Sequence, residues 1–321
     1  MKKVFSTRQL PGDAFSRLRK KGYQVQVGSR TSSLLRQVFM SKAKGADALI
    51  TLLTDRVDGE VMDAVGRQLK VVANYAVGFD NIDLAAAAKR GIRVTNTPGV
   101  LAQAVAEHTV ALLLSVVRRI PESERFLRKK LYRGWEPELF LGAELAGKTL
   151  GLVGHGRVGC RVADILKRGF DMNVLYYDVV RDKKAEGVCG IQYVSFIRLL
   201  READVVSLHV PLFASTRHLI SSSQLRTMKK TAYLVNTSRG PIVEERALVS
   251  ALKKKEIAGA ALDVFENEPR LAPGLVQIEN AVLTPHTGSA TVEARTSMAD
   301  LVAENVIAVL SGKNPPNLVH L

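Results

Sequence analysis

The stretch 149–178, TLGLVGHGRVGCRVADILKRGFDMNVLYYD, constrains the fold more than any other part of this 321-residue chain. A short apolar run closes on Val153, and Gly154-His155-Gly156-Arg157-Val158-Gly159 then opens a helix whose apolar positions are Val158, Val162, Ile165 and Leu166. A second run, Asn173 to Tyr177, ends on Asp178. Strand, glycine loop, helix and strand make one βαβ unit, so the two strands must lie parallel with the helix across their face. Each glycine has its own duty. Gly154 permits the tight turn, Gly156 lets backbone approach a pyrophosphate, and Gly159 lets helix and strand close up, while the helix N-terminus offers free N–H groups to the anion. Asp178 stands where a carboxylate accepts hydrogen bonds from adenosine ribose hydroxyls. Glycines at this spacing are a weak signal alone; with both strands, the helix and the terminal acid they define a dinucleotide site. A carboxylate repels a 2′-phosphate, so Asp178 favours NAD over NADP, and Arg181 softens that preference. His155 reads as a loop residue packed over the nucleotide, and Cys160 as helix packing.

The rest of the chain repeats the alternation. Before the glycine loop, strands are expected at 48–53 and 70–76, with helices at 58–66 and 83–91. A long helix over about 102–119 follows the turn Thr97-Pro98-Gly99. After it, strands are expected at 149–154, 173–178, 204–210, 232–237, 259–264 and 280–284, and a last helix spans roughly Thr291 to Ser311. The pattern predicts two α/β domains, each with a doubly wound parallel sheet.

In such sheets the chemistry collects at the carboxyl ends of the strands. Three ends carry polar groups that suit reduction of a keto acid. One run, LVNTSRG, delivers Arg239; another, ALDVFENEP, delivers an acidic loop; the third, AVLTPHTG, delivers His286. A guanidinium holds a carboxylate bidentately, and an imidazolium beside a carboxylate protonates a developing alkoxide. His209, in VVSLHVP, also sits at a strand end, and position alone does not separate it from His286. His108 lies inside a helix, and His218 and His320 have no chemical neighbours in sequence.

Charge and cysteine usage exclude other classes. The net charge of +15 comes from scattered clusters such as RLRKK at 17–21 and KKK at 253–255. No aromatic residues interleave with them, which argues against nucleic-acid binding. Apolar runs are too short for a bilayer, and no signal-peptide core follows Met1. The two cysteines show no ligand or disulfide spacing. A cytoplasmic protein without a metal is expected.

These motifs, with TLLTDRVD (51–58) and VANYAVGFDNIDLAAAAKRGIRVTNTPGVL (72–101), make the chain resemble the D-isomer-specific 2-hydroxyacid dehydrogenases. It is most similar to the glyoxylate and hydroxypyruvate reductases among them. The resemblance implies a Rossmann NAD-binding domain over 100–288, including a dimerisation helix and loop. It also implies a flavodoxin-like substrate domain over 1–99, completed by 289–321. It makes Arg239 the clamp on the substrate carboxylate, His286 the proton donor and Glu268, rather than Glu266, the partner of that histidine. Val77 and Gly78 match a substrate-binding loop, with Leu53 on the pocket wall. Gly154, Gly156, Arg157, Val158, Gly159, Asp178, Pro211, Thr237, Ser238, Asp263 and Gly288 match cofactor positions. Trp135 lies where related reductases carry a tryptophan that reaches a neighbouring subunit of the homodimer. Departures exist. Ala102-Gln103 stand where the nearest reductases often have threonine and aspartate, and Glu107-His108 are similar to the phosphoglycerate, formate and phosphite branches. A phosphoglycerate-dehydrogenase-like enzyme and an NAD-sensing co-repressor are the alternatives that the same motifs allow.

Overall fold

The computed structural model describes residues 1–30 and 34–320. The chain divides into two compact units, Met1–Leu101 with Ala290–Leu321, and Ala102–Ser289.

In the first unit, β1 (Lys3–Arg8), β2 (Gln24–Ser29), β3 (Ala48–Thr51), β4 (Val71–Asn74) and β5 (Arg93–Thr95) form one sheet in the order β2-β1-β3-β4-β5. Every pairing is parallel, which is the flavodoxin-like order. The first two strands were not expected from the sequence. β1 has only Val4 and Phe5 as apolar residues, yet Ser6 and Thr7 are buried as well. Their hydroxyls are satisfied internally, Thr7 donating to Asp55 and Ser6 to the carbonyl of Arg8, and so polar residues can occupy a central strand. The last helix, Val292–Leu310, is capped by the Thr291 side chain and packs Met298, Val302 and Val306 with Val4, Ile50 and Val71 of this sheet.

In the second unit, β6 (Thr149–Val153), β7 (Asn173–Tyr177), β8 (Gln192–Tyr193), β9 (Val205–Leu208), β10 (Tyr233–Asn236), β11 (Gly259–Leu262) and β12 (Ala281–Leu283) run in the order β12-β11-β10-β9-β6-β7-β8. All pairings are again parallel, giving the Rossmann arrangement with its switch point between β6 and β9. Helices cover both faces. Leu199, Leu225 and Leu248 fill one side, and Leu113, Val162 and Leu166 the other. The strands are one or two residues shorter at their carboxyl ends than the sequence suggests, because those residues leave the sheet to form the loops described next. The helix Ala102–Val117 stops before the left-handed Arg119, and a separate helix, Ile120–Arg128, begins with Pro121 in its first turn. That second helix was not foreseen. Among the described residues no helix is long and apolar enough to cross a membrane.

Candidate active site

The glycine loop leaves β6 with Gly154 at φ +97°, in the region closed to most side chains. A Cβ there would lie 2.8 Å from the backbone of His209, so the turn fits only against the end of β9. A Cβ on Gly159 would stand 2.3 Å from the Gly154 carbonyl oxygen, which is the close helix–strand contact foreseen. Gly156 differs from both, since a Cβ on it would meet nothing within 4 Å. Open space above a helix N-terminus is what a pyrophosphate requires. At the end of β7 the Asp178 carboxylate accepts from His155 N at 2.7 Å and Val180 N at 3.3 Å, which fixes its direction. The residues present therefore fit a dinucleotide. Arg181 is engaged elsewhere. Its Nε and Nη2 each donate to Glu186 at 2.7 Å, and the guanidinium lies 5.5 Å from the Tyr193 ring centre. That guanidinium pulls the Glu186 carboxyl down to about 2. Cys160 is not helix packing as expected. It is exposed, with Sγ 3.4 Å from His155 Nε2.

The ends of β10, β11 and β12 bring the second group together. Asn236, almost fully buried, organises the turn after β10; its Nδ2 donates to the Arg239 carbonyl and its Oδ1 accepts from Ser238. Arg239 is half-buried, with Nη1 donating to the Ser238 carbonyl at 2.8 Å. Its neighbour Gly240 touches the acidic loop, for a Cβ there would fall 1.9 Å from the Phe265 carbonyl. The arginine turn and the acidic loop are thus pressed together by a missing side chain. Glu268 accepts from Phe265 N at 3.0 Å and faces His286, whose Nδ1 lies 2.9 Å from Oε2 and 3.1 Å from Oε1. His286 itself sits at φ +55°, a conformation that non-glycine residues enter rarely.

Asp263 holds that strained loop. Its carboxylate is 1% exposed and accepts from Thr284 Oγ1 at 2.6 Å, Thr287 N at 2.8 Å and Gly288 N at 2.7 Å. Its own carbonyl accepts from His286 N at 2.8 Å. Burial raises the Asp263 pKa, but these donors and His108 outweigh it, and the net direction is down. His108 is the residue that sequence reasoning passed over. It reaches from the helix Ala102–Val117, and its Nε2 lies 3.2 Å from Asp263 Oδ1 and 3.1 Å from Thr284 Oγ1. One helical turn pattern gives no sign of a partner 155 positions away. The pairing Glu107-His108 was the only hint. The same helix reaches β10, where Thr237 donates to Thr109, whose own proton goes to the Val105 carbonyl.

Other histidines separate cleanly. His209 Nε2 lies 2.9 Å from Ser207 Oγ, and burial pushes its pKa down to about 3, so it is neutral and no proton donor near neutrality. His218 does have a neighbour after all, with Nε2 2.7 Å from Glu266 Oε1. The two acids of ENEP therefore serve different histidines. Arg157 and Pro211 are exposed, Val158 half-buried and Gly288 buried. In the first unit, Leu53 and Val77 are exposed at 36% and 37%. The carbonyls of Val77 and Gly78 accept from the side chains of Asn96 and Asn74 at 2.7 and 2.8 Å. Trp135 is exposed, as are Ile120, Leu127, Leu131, Tyr132 and Leu141 nearby in sequence. Among the described residues no cluster of histidine, cysteine and acid suits a metal.

Comparison with known proteins identifies the family. Residues 110–288 match the family model of the D-isomer specific 2-hydroxyacid dehydrogenase NAD binding domain. The chain is 49% identical to the glyoxylate reductase of Thermococcus litoralis, over 99% of this chain and 96% of that one. The glyoxylate reductase of Aeropyrum pernix is also 49% identical, with the same coverage. A crystal structure of a Thermus thermophilus protein superposes with a TM-score of 0.93 at 45% identity, covering 99% of this chain and all of that one. The NADPH-dependent glyoxylate/hydroxypyruvate reductase of Sinorhizobium meliloti, in complex with NADP and malonate, gives 0.86 at 32% identity, covering 99% of this chain and 96% of that one.

Proposed function

Because the chain belongs to the D-isomer specific 2-hydroxyacid dehydrogenase family, we propose that it is an NADH-dependent reductase of a small 2-keto acid, glyoxylate or hydroxypyruvate. One observation carries the assignment of roles, the 2.9 Å contact between His286 Nδ1 and Glu268. With Nδ1 committed to the carboxylate, Nε2 is the nitrogen left to give a proton to a reacting oxygen. Glu268 orients the ring through that contact. Arg239, on the turn pressed against the same loop, takes the substrate carboxylate. The carbonyl of Val77 is held by Asn96, and a trans peptide turns the Gly78 N–H the opposite way. We assign that loop, Val77-Gly78, and Leu53 to substrate binding on the first unit.

The bound nicotinamide supplies the hydride. Gly154, Gly156, Arg157, Val158 and Gly159 receive the pyrophosphate, and Asp178 the ribose hydroxyls. Pro211, Thr237 and Ser238 line the path towards the nicotinamide end, and Asp263 and Gly288 serve it through the loop they hold. Preference for NADH rests on the direction of Asp178 and on the commitment of Arg181 to Glu186. A second copy of the chain covers the apolar side chains of 120–141, Trp135 among them, giving a homodimer.

The test is oxidation of NADH and of NADPH with glyoxylate, hydroxypyruvate, pyruvate and phosphohydroxypyruvate in parallel. Fast turnover of either of the first two with NADH is the expected result. A preference for phosphohydroxypyruvate would move the enzyme to a phosphoglycerate-dehydrogenase-like role, and NADPH preference would overturn the reading of Asp178. Silence on all four, with NADH still bound, would favour the co-repressor-like alternative.

A further inference from the structure

We propose that His108 is a positioning residue for the proton donor, acting through Asp263 on the loop that carries His286. The inference rests on the reading of His286 given above. It starts from the strain in that loop. His286 is left-handed at φ +55°, and such a backbone persists only where its surroundings over-determine it. Most of what over-determines it converges on one residue, although the His286 amide also reaches the Thr284 carbonyl at 3.0 Å. The amides of His286, Thr287 and Gly288 all donate to Asp263, the first to its carbonyl and the others to its two carboxylate oxygens. Gly288 allows this approach, since a Cβ on it would stand 3.1 Å from Asp263 Oδ2.

Asp263 must therefore be fixed itself, and His108 supplies what the loop amides do not. Thr284 gives its hydroxyl proton to Asp263 Oδ1 at 2.6 Å, so its oxygen is free to accept. Both partners of His108 Nε2 are then acceptors, which assigns the ring proton to Nε2. From the helix Ala102–Val117 the imidazole closes a three-membered ring of hydrogen bonds with Asp263 and Thr284. Thr284 directly follows β12 and Asp263 directly follows β11, so His108 ties the ends of these two strands to a helix. A histidine that merely filled space on the helix would need no donor at Nε2. One that positions the loop needs that donor and nothing else of the ring.

The variants follow from this distinction. His108→Phe keeps the shape without the donor, and His108→Gln places an amide N–H where Nε2 was. His108→Asn keeps polarity but is too short to reach. For His108→Phe and His108→Asn, kcat should fall about 10- to 100-fold, the effect of an ångström-scale displacement of a reacting group. KM for the keto acid and Kd for NADH should stay within about threefold, and His108→Gln should recover kcat to about the same margin. Amide exchange at Thr287 and Gly288 should quicken by about tenfold or more in the Phe and Asn variants and not in Gln.

A His108→Phe enzyme with normal kcat would overturn the proposal. So would a His108→Gln enzyme no better than Phe, or a loss confined to NADH affinity. Should Phe fail to fold, the contrast between Asn and Gln decides in the same terms. Wild-type protein silent on every keto acid would sink the proposed function instead, and the amide exchange would still decide about His108.

Discussion

His286 meets Glu268 at 2.9 Å and His108 meets Asp263 at 3.2 Å, two histidine–carboxylate pairs of nearly equal geometry in the same unit. Their surroundings differ. Glu268 is 27% exposed and the His286 side chain 25%, whereas Asp263 is 1% exposed. Glu268 takes one backbone amide besides its histidine, while Asp263 takes two amides and two hydroxyls besides His108. The half-open pair leaves a ring nitrogen to exchange protons. The closed pair spends its donors and its charge on holding a loop. The same two residue types thus make a reactive group or a bracket, according to how many donors the carboxylate has already accepted and how much water reaches it.

Removing the open histidine has the largest expected effect. His286→Asn suits the left-handed backbone, which asparagine tolerates better than alanine. We expect kcat to fall about 10³-fold, within the range for a lost general acid, with NADH binding and thermal stability close to wild type. Fluorescence titration with NADH beside steady-state rates checks this. Loss of NADH binding would mean that His286 is a cofactor bracket too, and the contrast would collapse.

Asp263→Asn comes next, and its cost should appear in stability as well as rate. An amide nitrogen would face Thr287 N or Gly288 N, donor against donor, in a site that is 1% exposed. Breaking a buried charged network of this kind costs about 3 kcal/mol. Urea unfolding reads it directly. The Asp263 pKa lies below its ordinary value, so its contribution is present above the unfolded carboxyl pKa. It is lost only as pH falls through the folded one. The stability difference between wild type and Asp263→Asn should therefore shrink on strong acidification and not near neutrality. Glu268→Gln should do the reverse of Asp263→Asn. It should lower kcat about tenfold and leave stability within about 0.5 kcal/mol. Equal stability losses in the two variants would erase the distinction between reactive pair and bracket.

The open pair was readable from the sequence and the closed one was not, for a physical reason. Arg239, Glu268 and His286 stand just past strand ends, and parallel strands with helical crossovers put all their carboxyl ends on one edge. Order along the chain was enough to gather an arginine, an acidic loop and a histidine, although choosing Glu268 over Glu266 and His286 over His209 took the family motifs. The glycine loop was legible because Gly154, Gly156 and Gly159 each answer a separate steric demand. By contrast, His108 meets Asp263 only through the packing of a helix on the sheet, and helical periodicity says which face is buried without saying what it touches. The pairing of His218 with Glu266 was hidden in the same way. β1 was hidden because Ser6 and Thr7 are buried with their hydroxyls satisfied, which breaks the apolar pattern a central strand is expected to show. The helix Ile120–Arg128 was hidden because none of its residues is buried.

His209 sharpens the comparison from a third side, as a half-buried histidine that meets no carboxylate among the described residues. Its Nε2 meets only the Ser207 hydroxyl, at 2.9 Å, and burial pushes its pKa from 6.5 down to about 3. Between those values the unfolded chain binds a proton that the folded protein does not. Stability must then rise with pH through that window and fall as pH drops below about 6.5, by up to about 1.4 kcal/mol per pH unit. His209→Gln retains a hydrogen-bonding group beside Ser207 and removes the titration. Denaturant unfolding at several pH values between about 4.5 and 6.5, inside that window, should show a shallower slope for the variant than for wild type. Equal slopes would mean that His209 accepts its proton in the folded state. A half-buried histidine would then keep its charge without a carboxylate, His209 would return as a rival proton donor, and the Glu268 contact would no longer single out His286.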